Sequence, residues 1–514
     1  MAGVFFKLRE DVQQMQENKK DNFVYVSAMI ITLLIVAFGL INNELFGTTM
    51  TNAFNWICQY FNWYLVAVIT FYIFFMAYIA FSRFGKIKLG PDDSKPEFST
   101  FSWLAMLFSA GMGSGLVFFG AAEPAYHFIC PPLGIAPRSA QAADIAMQLS
   151  FLHWGCHPWG IYGITAMVIG YFSMRQNKPA LLGNFVQPLF KNEQLASTCA
   201  HIVDTLMVVL TVAGIASSLG IAASQMGAGI AKFFGIANNI WLAEISLGIM
   251  SVVYIVTAVA GLKKGIKLIA DINVYMSIII CTFLFLFGPT LTLLQTFVTS
   301  LGSYSATIID WTLRVSPWDP DFDAWQRGWT VLYWLWWLSW GPLCGVFFAR
   351  VSYGRTMKEL VAGSLLIPPI GSFAWMTIFG GTAISQVFKF PNAPLADSSV
   401  NNMSMALWDL MDMFPLSAVT TVICFALVAT FLITSANSGT FVVAMLSSNG
   451  DINPSKKRLF VWGVLMAVIS AVTLFAGDFR GVQKLAGVIS FSYSIVTMFM
   501  AYALVKAMSE ELNK

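Results

Sequence analysis

The chain has 514 residues, 57% hydrophobic and 11% charged, with a formal net charge of +3 at pH 7. Soluble domains carry about a quarter charged residues, so a water-facing surface is excluded and one polytopic membrane domain is expected where the length alone would suggest several domains. No Lys/Arg run is interleaved with aromatics, which excludes a nucleic-acid partner. The seven cysteines (Cys58, Cys130, Cys156, Cys199, Cys281, Cys344 and Cys424) show no metal-ligand spacing, so no disulfide framework is expected.

Residues 1–22 read as a polar cytoplasmic tail. The apolar run that follows has no small-residue cleavage pattern, so it is expected to remain as a span. A span needs about 20 apolar residues. Twelve candidates follow, at roughly 23–43, 52–83, 99–127, 141–174, 198–232, 238–262, 267–298, 327–350, 356–386, 416–446, 455–477 and 482–508. Residues 300–325 read as an interfacial helix, and 509–514 as a short cytoplasmic end. With the N-terminus in the cytoplasm, 22 of the 29 Lys/Arg residues fall on that side, and the positive-inside rule holds in every cytoplasmic loop. The expectation is an all-α integral membrane protein of 12 spans.

The third span carries "SAGMGSGLVFFGAAEP", with Gly111, Gly113, Gly115 and Gly120. Close helix packing explains some such glycines. Glycines at every second position, however, lie on different helix faces, and each costs roughly 1 kcal/mol relative to alanine in a helix. An unwound segment is favoured. At membrane depth it survives where it lines a cavity or is buried in protein, and its free backbone groups then hold an ion or substrate.

The fourth span holds "HWGCHPWGIY", where Trp159 and Tyr162 share a face and Pro158 is expected to bend the helix and bring Trp154 round toward them. His153 and His157 are four apart with no acid between them; satisfied polar groups fit better than a metal pair. Glu123, Asp204 and Asp271 lie within or near span ends. They read as structural, with a proton relay as the alternative.

The eighth span holds "YWLWWLSW". Tyr333, Trp337 and Trp340 share a helical face, and Trp336 is expected to stack with Trp340. An interfacial belt suits Trp311, Trp318, Trp329 and Trp334, whereas Trp159 and Trp340 lie mid-span. In the tenth span "FLITSANSGT" clusters hydroxyls. Thr434 and Ser435 either bond back to their own helix or offer oxygens to a hard cation such as sodium.

Packed ring faces attract a quaternary ammonium, which cannot donate a hydrogen bond; each ring contributes roughly 0.5–2 kcal/mol when desolvated. Neither aromatic stretch contains an acid, so no fixed carboxylate is expected to balance the cation. A ligand with its own carboxylate fits better than a bare cation. An enzyme is disfavoured by the lack of HExxH, paired catalytic carboxylates or a nucleophile elbow. A channel would need a polar lining or charge rings.

"AGMGSGL", "HWGCHPWGIY", "GWTVLYWLWWLSW", "ARVSYGRT" and "TSANSGT" together resemble the betaine/choline/carnitine transporter family over about residues 20–508. The resemblance implies a LeuT-like fold with two inverted five-helix repeats, spans 3–7 (about 99–298) and 8–12 (about 327–508), and a homotrimer in the plasma membrane. It implies alternating access, and a substrate box of Trp154, Trp159, Tyr162 and Trp337. Trp336 and Trp340 would lie near that box, bordered by Met112, Gly113 and Gly115. It implies one sodium on the side chains of Thr434 and Ser435 and the carbonyls of Ser109, Met112 and Phe431, and another at Thr211. No cofactor is implied beyond sodium as coupling ion.

Choline-specific, proton-driven members carry an aspartate where this chain has Gly115. Sodium-independent carnitine exchangers lack the glycine run and carry an arginine where this chain has Asn273. Both comparisons favour a sodium-coupled carrier of a zwitterionic betaine. Ile215 stands where the sodium-coupled members have a threonine, which leaves the Thr211 site short of an oxygen and the stoichiometry open. The family's long basic C-terminal helix has no counterpart after the last span, so strong osmotic activation through it is not expected.

Overall fold

The computed structural model describes residues 22–111, 113–261 and 263–513. All of the expected N-terminal tail but Asn22 lies outside the described residues, as does Met112. The described residues are helical throughout, apart from turns and one antiparallel bridge between Lys88 and Thr356.

Helices α1 (Phe23–Ile41) and α2 (Asn43–Phe81) lead into a broken span, α3 (Thr100–Gly111) and α4 (Ser114–Ile129), whose halves are inclined by 70°. A second interrupted pair follows: α5 (Ala140–Trp154) and α6 (Cys156–Ile169), the latter ending in a π-helical turn at Gly170–Arg175. Then come α7 (Glu193–Phe234), α8 (Ile240–Ala260), α9 (Lys263–Phe287), α10 (Thr290–Leu313) and α11 (Pro320–Gln326). A π-helical turn at Arg327–Val331 feeds α12 (Leu332–Val351). The chain continues through α13 (Met357–Leu365), α14 (Ile367–Met376), α15 (Thr382–Lys389), α16 (Pro394–Asn401), α17 (Met403–Asp412), α18 (Ser417–Leu446) and α19 (Lys456–Leu512).

Local chemistry fixes these limits. Asn192, Asn239 and Ser455 accept first-turn N–H groups of α7, α8 and α19. Thr356 and Glu359 form a capping box on α13. Gly235 and Gly261, at φ +63° and +65°, close α7 and α8 in the left-handed conformation that glycine adopts without strain.

Ten helical stretches of the described chain are long and apolar enough to cross a bilayer, and the bent α3–α4 pair makes an eleventh. The remaining expected span, 141–174, is the α5–α6 pair, interrupted at Gly155. The protein is thus an all-α, multi-pass membrane protein. The span expected over 267–298 stops at Phe287 instead, because Pro289 lacks an N–H and disfavours helix in the residue before it. The helix expected over 300–325 accordingly starts at Thr290. It is divided where Asp319 caps α11 ahead of Pro320.

The last two expected spans share α19, which turns sharply. A Cβ on Gly481 would lie 3.2 Å from the Thr473 carbonyl oxygen, eight residues back, a separation of about 12 Å along a straight helix. The chain's end is held: Arg175 pairs with Glu511 (Nη2–Oε1 2.6 Å), and the Tyr171 hydroxyl donates to the same carboxylate (2.8 Å). Arg175 also bonds Asp92 in the α2–α3 loop and holds that carboxyl below its usual range.

Helix α7 is the centre: 94% of its most apolar window is buried, against 17% for Leu268–Phe287 in α9. Helices α8, α18 and α19 pack on α7, and α9 turns Tyr275, Ile278 and Leu286 outward. Around the Lys88–Thr356 bridge, main-chain N–H groups of Leu89, Gly354 and Met357 donate to the carbonyls of Arg355, Leu89 and Ile87, each at 2.8 Å.

Candidate functional site

The glycine run is where the two halves of the chain meet. A Cβ on Gly111 would lie 2.5 Å from the Trp159 ring. On Gly113 it would lie 3.2 Å from Ser435 Oγ and 3.8 Å from the Trp340 ring. On Gly115 it would lie 2.5 Å from Trp336 and 3.4 Å from Trp154. The run therefore does both things its sequence suggested. It interrupts the helix, and it lets rings from α6 and α12 and a hydroxyl from α18 approach the backbone.

Two groups of rings line this break. In the first, Trp159 meets Tyr162 edge-on (centroids 5.9 Å apart) and lies parallel to Phe348 (6.0 Å) and Phe108 (6.3 Å). In the second, Trp337 stacks on Trp336 (4.8 Å) and meets Trp154 edge-on (4.9 Å), with Tyr333 and Phe119 alongside. The interruption at Gly155, not a bend at Pro158, separates the groups: Pro158 sits in the first turn of α6, where its missing N–H costs nothing. Trp154 consequently joins Trp337 rather than turning toward Trp159 and Tyr162. The expected stack of Trp336 on Trp340 is replaced by Trp336 on Trp337, while Trp340 points to Gly113.

The four expected box rings and the two expected beside them, Trp336 and Trp340, are buried, none more than 6% exposed. Their polar atoms differ. Trp336 Nε1 donates to Ser217 Oγ and Trp337 Nε1 to the His153 carbonyl, both at 2.9 Å, and Trp154 Nε1 donates to Glu123 Oε2 at 2.8 Å. Trp159 Nε1, Tyr162 Oη and Trp340 Nε1 have no hydrogen-bond partner among the described residues. Buried donors are ordinarily paired, so the unpaired N–H groups of Trp159 and Trp340, whose rings face the break, mark a place for an acceptor, while the Tyr162 hydroxyl stands beside the Cys344 thiol.

Glu123 corrects the expectation that no fixed carboxylate joins the aromatic stretches. It is fully buried, bonded to Trp154, and accepts from the Tyr333 hydroxyl at 2.5 Å; His153 Nδ1 lies 2.6 Å from its other oxygen. Its hydrogen-bond partners lie 30 to 210 residues away, so the carboxylate braces the second ring group. His153 and His157 diverge: His157 Nε2 lies 2.5 Å from Thr312 Oγ1, and its ring stacks on Trp334 (4.6 Å). Trp318, expected in the belt, is 94% exposed. The belt assignment fails for Trp311, Trp329 and Trp334, which are buried inside the protein. Asp204 Oδ1 accepts the Gly183 N–H (2.8 Å), a structural role, and Asp271 is exposed.

The oxygens expected to hold sodium lie on α3 and α18. Thr434 Oγ1 donates to the carbonyls of Thr430 (2.9 Å) and Phe431 (3.1 Å), and Ser109 Oγ donates to the Met106 carbonyl (3.1 Å). Ser435 Oγ faces the glycine break. This set of neutral hydroxyl and carbonyl oxygens suits a hard monovalent cation; Met112 lies outside the described residues. At the other expected site, Thr211 Oγ1 is taken by the Met207 carbonyl (2.7 Å), and Ile215 fills the space against Gly439, 2.5 Å from where a Cβ would stand.

The comparisons agree with this geometry. A family profile described as "BCCT, betaine/carnitine/choline family transporter" matches residues 23–513. The glycine betaine transporter OpuD of Bacillus subtilis is 36% identical over 491 residues, covering 95% of this chain and 94% of that protein. The ectoine/hydroxyectoine transporter of Virgibacillus pantothenticus is 36% identical over 494 residues (95% and 97%), and the betaine/ectoine transporter LcoP of Corynebacterium glutamicum 34% over 505 (96% and 79%). With the broken third span, the ring groups around it and a match across nearly its whole length, the chain belongs to the betaine/carnitine/choline transporter family.

Proposed function

We propose that this protein imports a quaternary-ammonium zwitterion of the glycine betaine type, coupled to sodium, by alternating access. The observation that carries the reading is the backbone break at Gly111 and Gly113, taken here as the substrate chamber. The ring faces of Trp159, Phe108 and Phe348 stack there, the buried N–H groups of Trp159 and Trp340, whose rings face the break, lack acceptors, and so does the hydroxyl of Tyr162, whose ring meets Trp159. Ring faces hold the methylated cation, and the unpaired donors receive its carboxylate. Choline offers only one neutral hydroxyl acceptor in place of a carboxylate, so it satisfies those donors less fully. Gly115 supports the same choice: a side chain there would displace Trp336, so no carboxylate takes that position. The relatives named for glycine betaine and for ectoine share the zwitterionic class.

Sodium enters as a co-substrate at Thr434, Ser435 and the carbonyls of Ser109, Met112 and Phe431. With Ile215 filling the neighbourhood of Thr211, one sodium per substrate is the expected coupling. The LeuT-like pair of inverted repeats, the trimer and a plasma-membrane setting with both ends cytoplasmic belong to the same reading. The test is binding of a panel (glycine betaine, carnitine, proline betaine, ectoine, dimethylsulfoniopropionate, choline) to purified protein in sodium or potassium, followed by tryptophan fluorescence. Sodium-dependent quenching by a betaine and little response to choline are expected. An equal response to choline without sodium overturns the reading.

A further inference from the structure

Outside the chamber, Glu123, His127 and His153 form a cluster that the transport reading does not use. One ligand atom of each lies within 4.8 Å of the others, and all three side chains are fully buried. Outer contacts orient two of them. The Thr330 hydroxyl lies 2.9 Å from His153 Nε2; with that nitrogen donating, the Nδ1 lone pair faces Glu123. Glu123 Oε2 accepts from Trp154 and Tyr333, which leaves Oε1 on the histidine side. His127 is the anomaly. Neither of its ring nitrogens has a hydrogen-bond partner, although Nε2 stands 3.7 Å from Glu123 Oε1. Its ring is held edge-on to Trp329 (4.5 Å), so the orientation is built.

We propose that Glu123 Oε1, His127 Nε2 and His153 Nδ1 form a binding site for a divalent transition metal of the zinc type. Two imidazoles and a carboxylate with a fourth position open are a ligand set zinc takes, and imidazole selects against magnesium and calcium. Bonds of about 2.0–2.1 Å in tetrahedral geometry place ligand atoms about 3.3 Å apart. The 2.6 Å Glu123–His153 separation opens and the 3.7 Å Glu123–His127 separation closes, each by less than about 1 Å, and the two histidine nitrogens, within 4.8 Å of each other, close by up to about 1.5 Å, all within reach of side-chain rotation. A metal binds the deprotonated forms of these ligands, so any proton between Oε1 and Nδ1 leaves to solvent on binding. Thr330, Tyr333 and Trp154 supply the outer contacts that such ligands need. Because the ligands lie on α4 and α5, and their outer contacts run to Thr330 and Tyr333, a bound ion ties these elements together and slows transport.

The test is calorimetric titration of the full-length protein in lipid nanodiscs with zinc chloride, joined to X-ray absorption at the zinc edge. One zinc per chain is expected, with two imidazole nitrogens and a carboxylate oxygen in its shell, and no heat from magnesium. His127→Ala should weaken binding at least about tenfold. His127→Cys should retain binding and add one sulfur to the shell, a readout that fold damage does not produce. Absence of saturable binding to the wild-type protein, a shell without imidazole, or affinity unchanged in His127→Ala each overturns the site.

Discussion

The two ring groups flanking the glycine run are built from the same side chains and differ in what their polar edges do. In the Trp154–Trp336–Trp337 group every indole N–H has an acceptor, supplied by Glu123, Ser217 and the His153 carbonyl. Around Gly111 and Gly113, Trp159, Tyr162 and Trp340 bury their donors unpaired. The Trp154–Trp336–Trp337 group is a finished piece of interior. The Trp159 group is interior with one partner missing. Aromatic density alone therefore does not mark a binding site; the state of the hydrogen bonds separates frame from chamber.

The largest expected effect breaks the frame. Glu123→Ala strands two buried donors, at roughly 1–3 kcal/mol each, so the apo protein should lose about 2–6 kcal/mol of stability, read as a lowered Tm in detergent. An unchanged Tm would erase the distinction between the groups. Next, Gly111→Val forces a side chain into the Trp159 ring, at about 1–3 kcal/mol of overpacking, and should abolish betaine quenching while the frame's stacking persists.

Trp159→Leu removes one ring face, about 1–2 kcal/mol, so betaine Kd should rise about tenfold. Smaller and more diagnostic, Tyr162→Phe and Trp340→Phe each remove an unpaired donor. Betaine affinity should fall by about 0.5–1.5 kcal/mol while the apo Tm holds or rises, and weak choline binding should not change. A Tm drop in both would mean the donors are satisfied in the resting protein. The smallest effect on binding belongs to Trp334→Leu, whose ring stacks on His157. Trp337→Leu, which loosens the frame beside the break, should weaken binding more, and the reverse order would mean that the frame does not support the chamber.

Much of this was legible from the sequence. Apolar run lengths located the spans, and the glycine spacing located the break, because both are local signals. Pro289 was also a local signal, and it ends a helix that hydropathy alone carries on to residue 298. What composition hides is which way a ring at a span end faces: Trp311 and Trp329 sit where a belt residue would, yet are buried against neighbouring helices. Glu123 was read as structural, but its junction with Tyr333 joins residues 210 apart, and no local pattern encodes it. The separation of Trp154 from Trp159 turned on Gly155, a residue overshadowed by the nearby proline.

The small main-chain seam between Ile87–Leu89 and Gly354–Met357 has a mechanical consequence. Three N–H to carbonyl links at 2.8 Å join the stretch after α2 to the stretch before α13 without calling on any side chain. Pulling those stretches apart would sever links worth roughly 0.5–1.5 kcal/mol each. Under the proposed alternating access, α2 and α13 are expected to move together, as passengers on one plank.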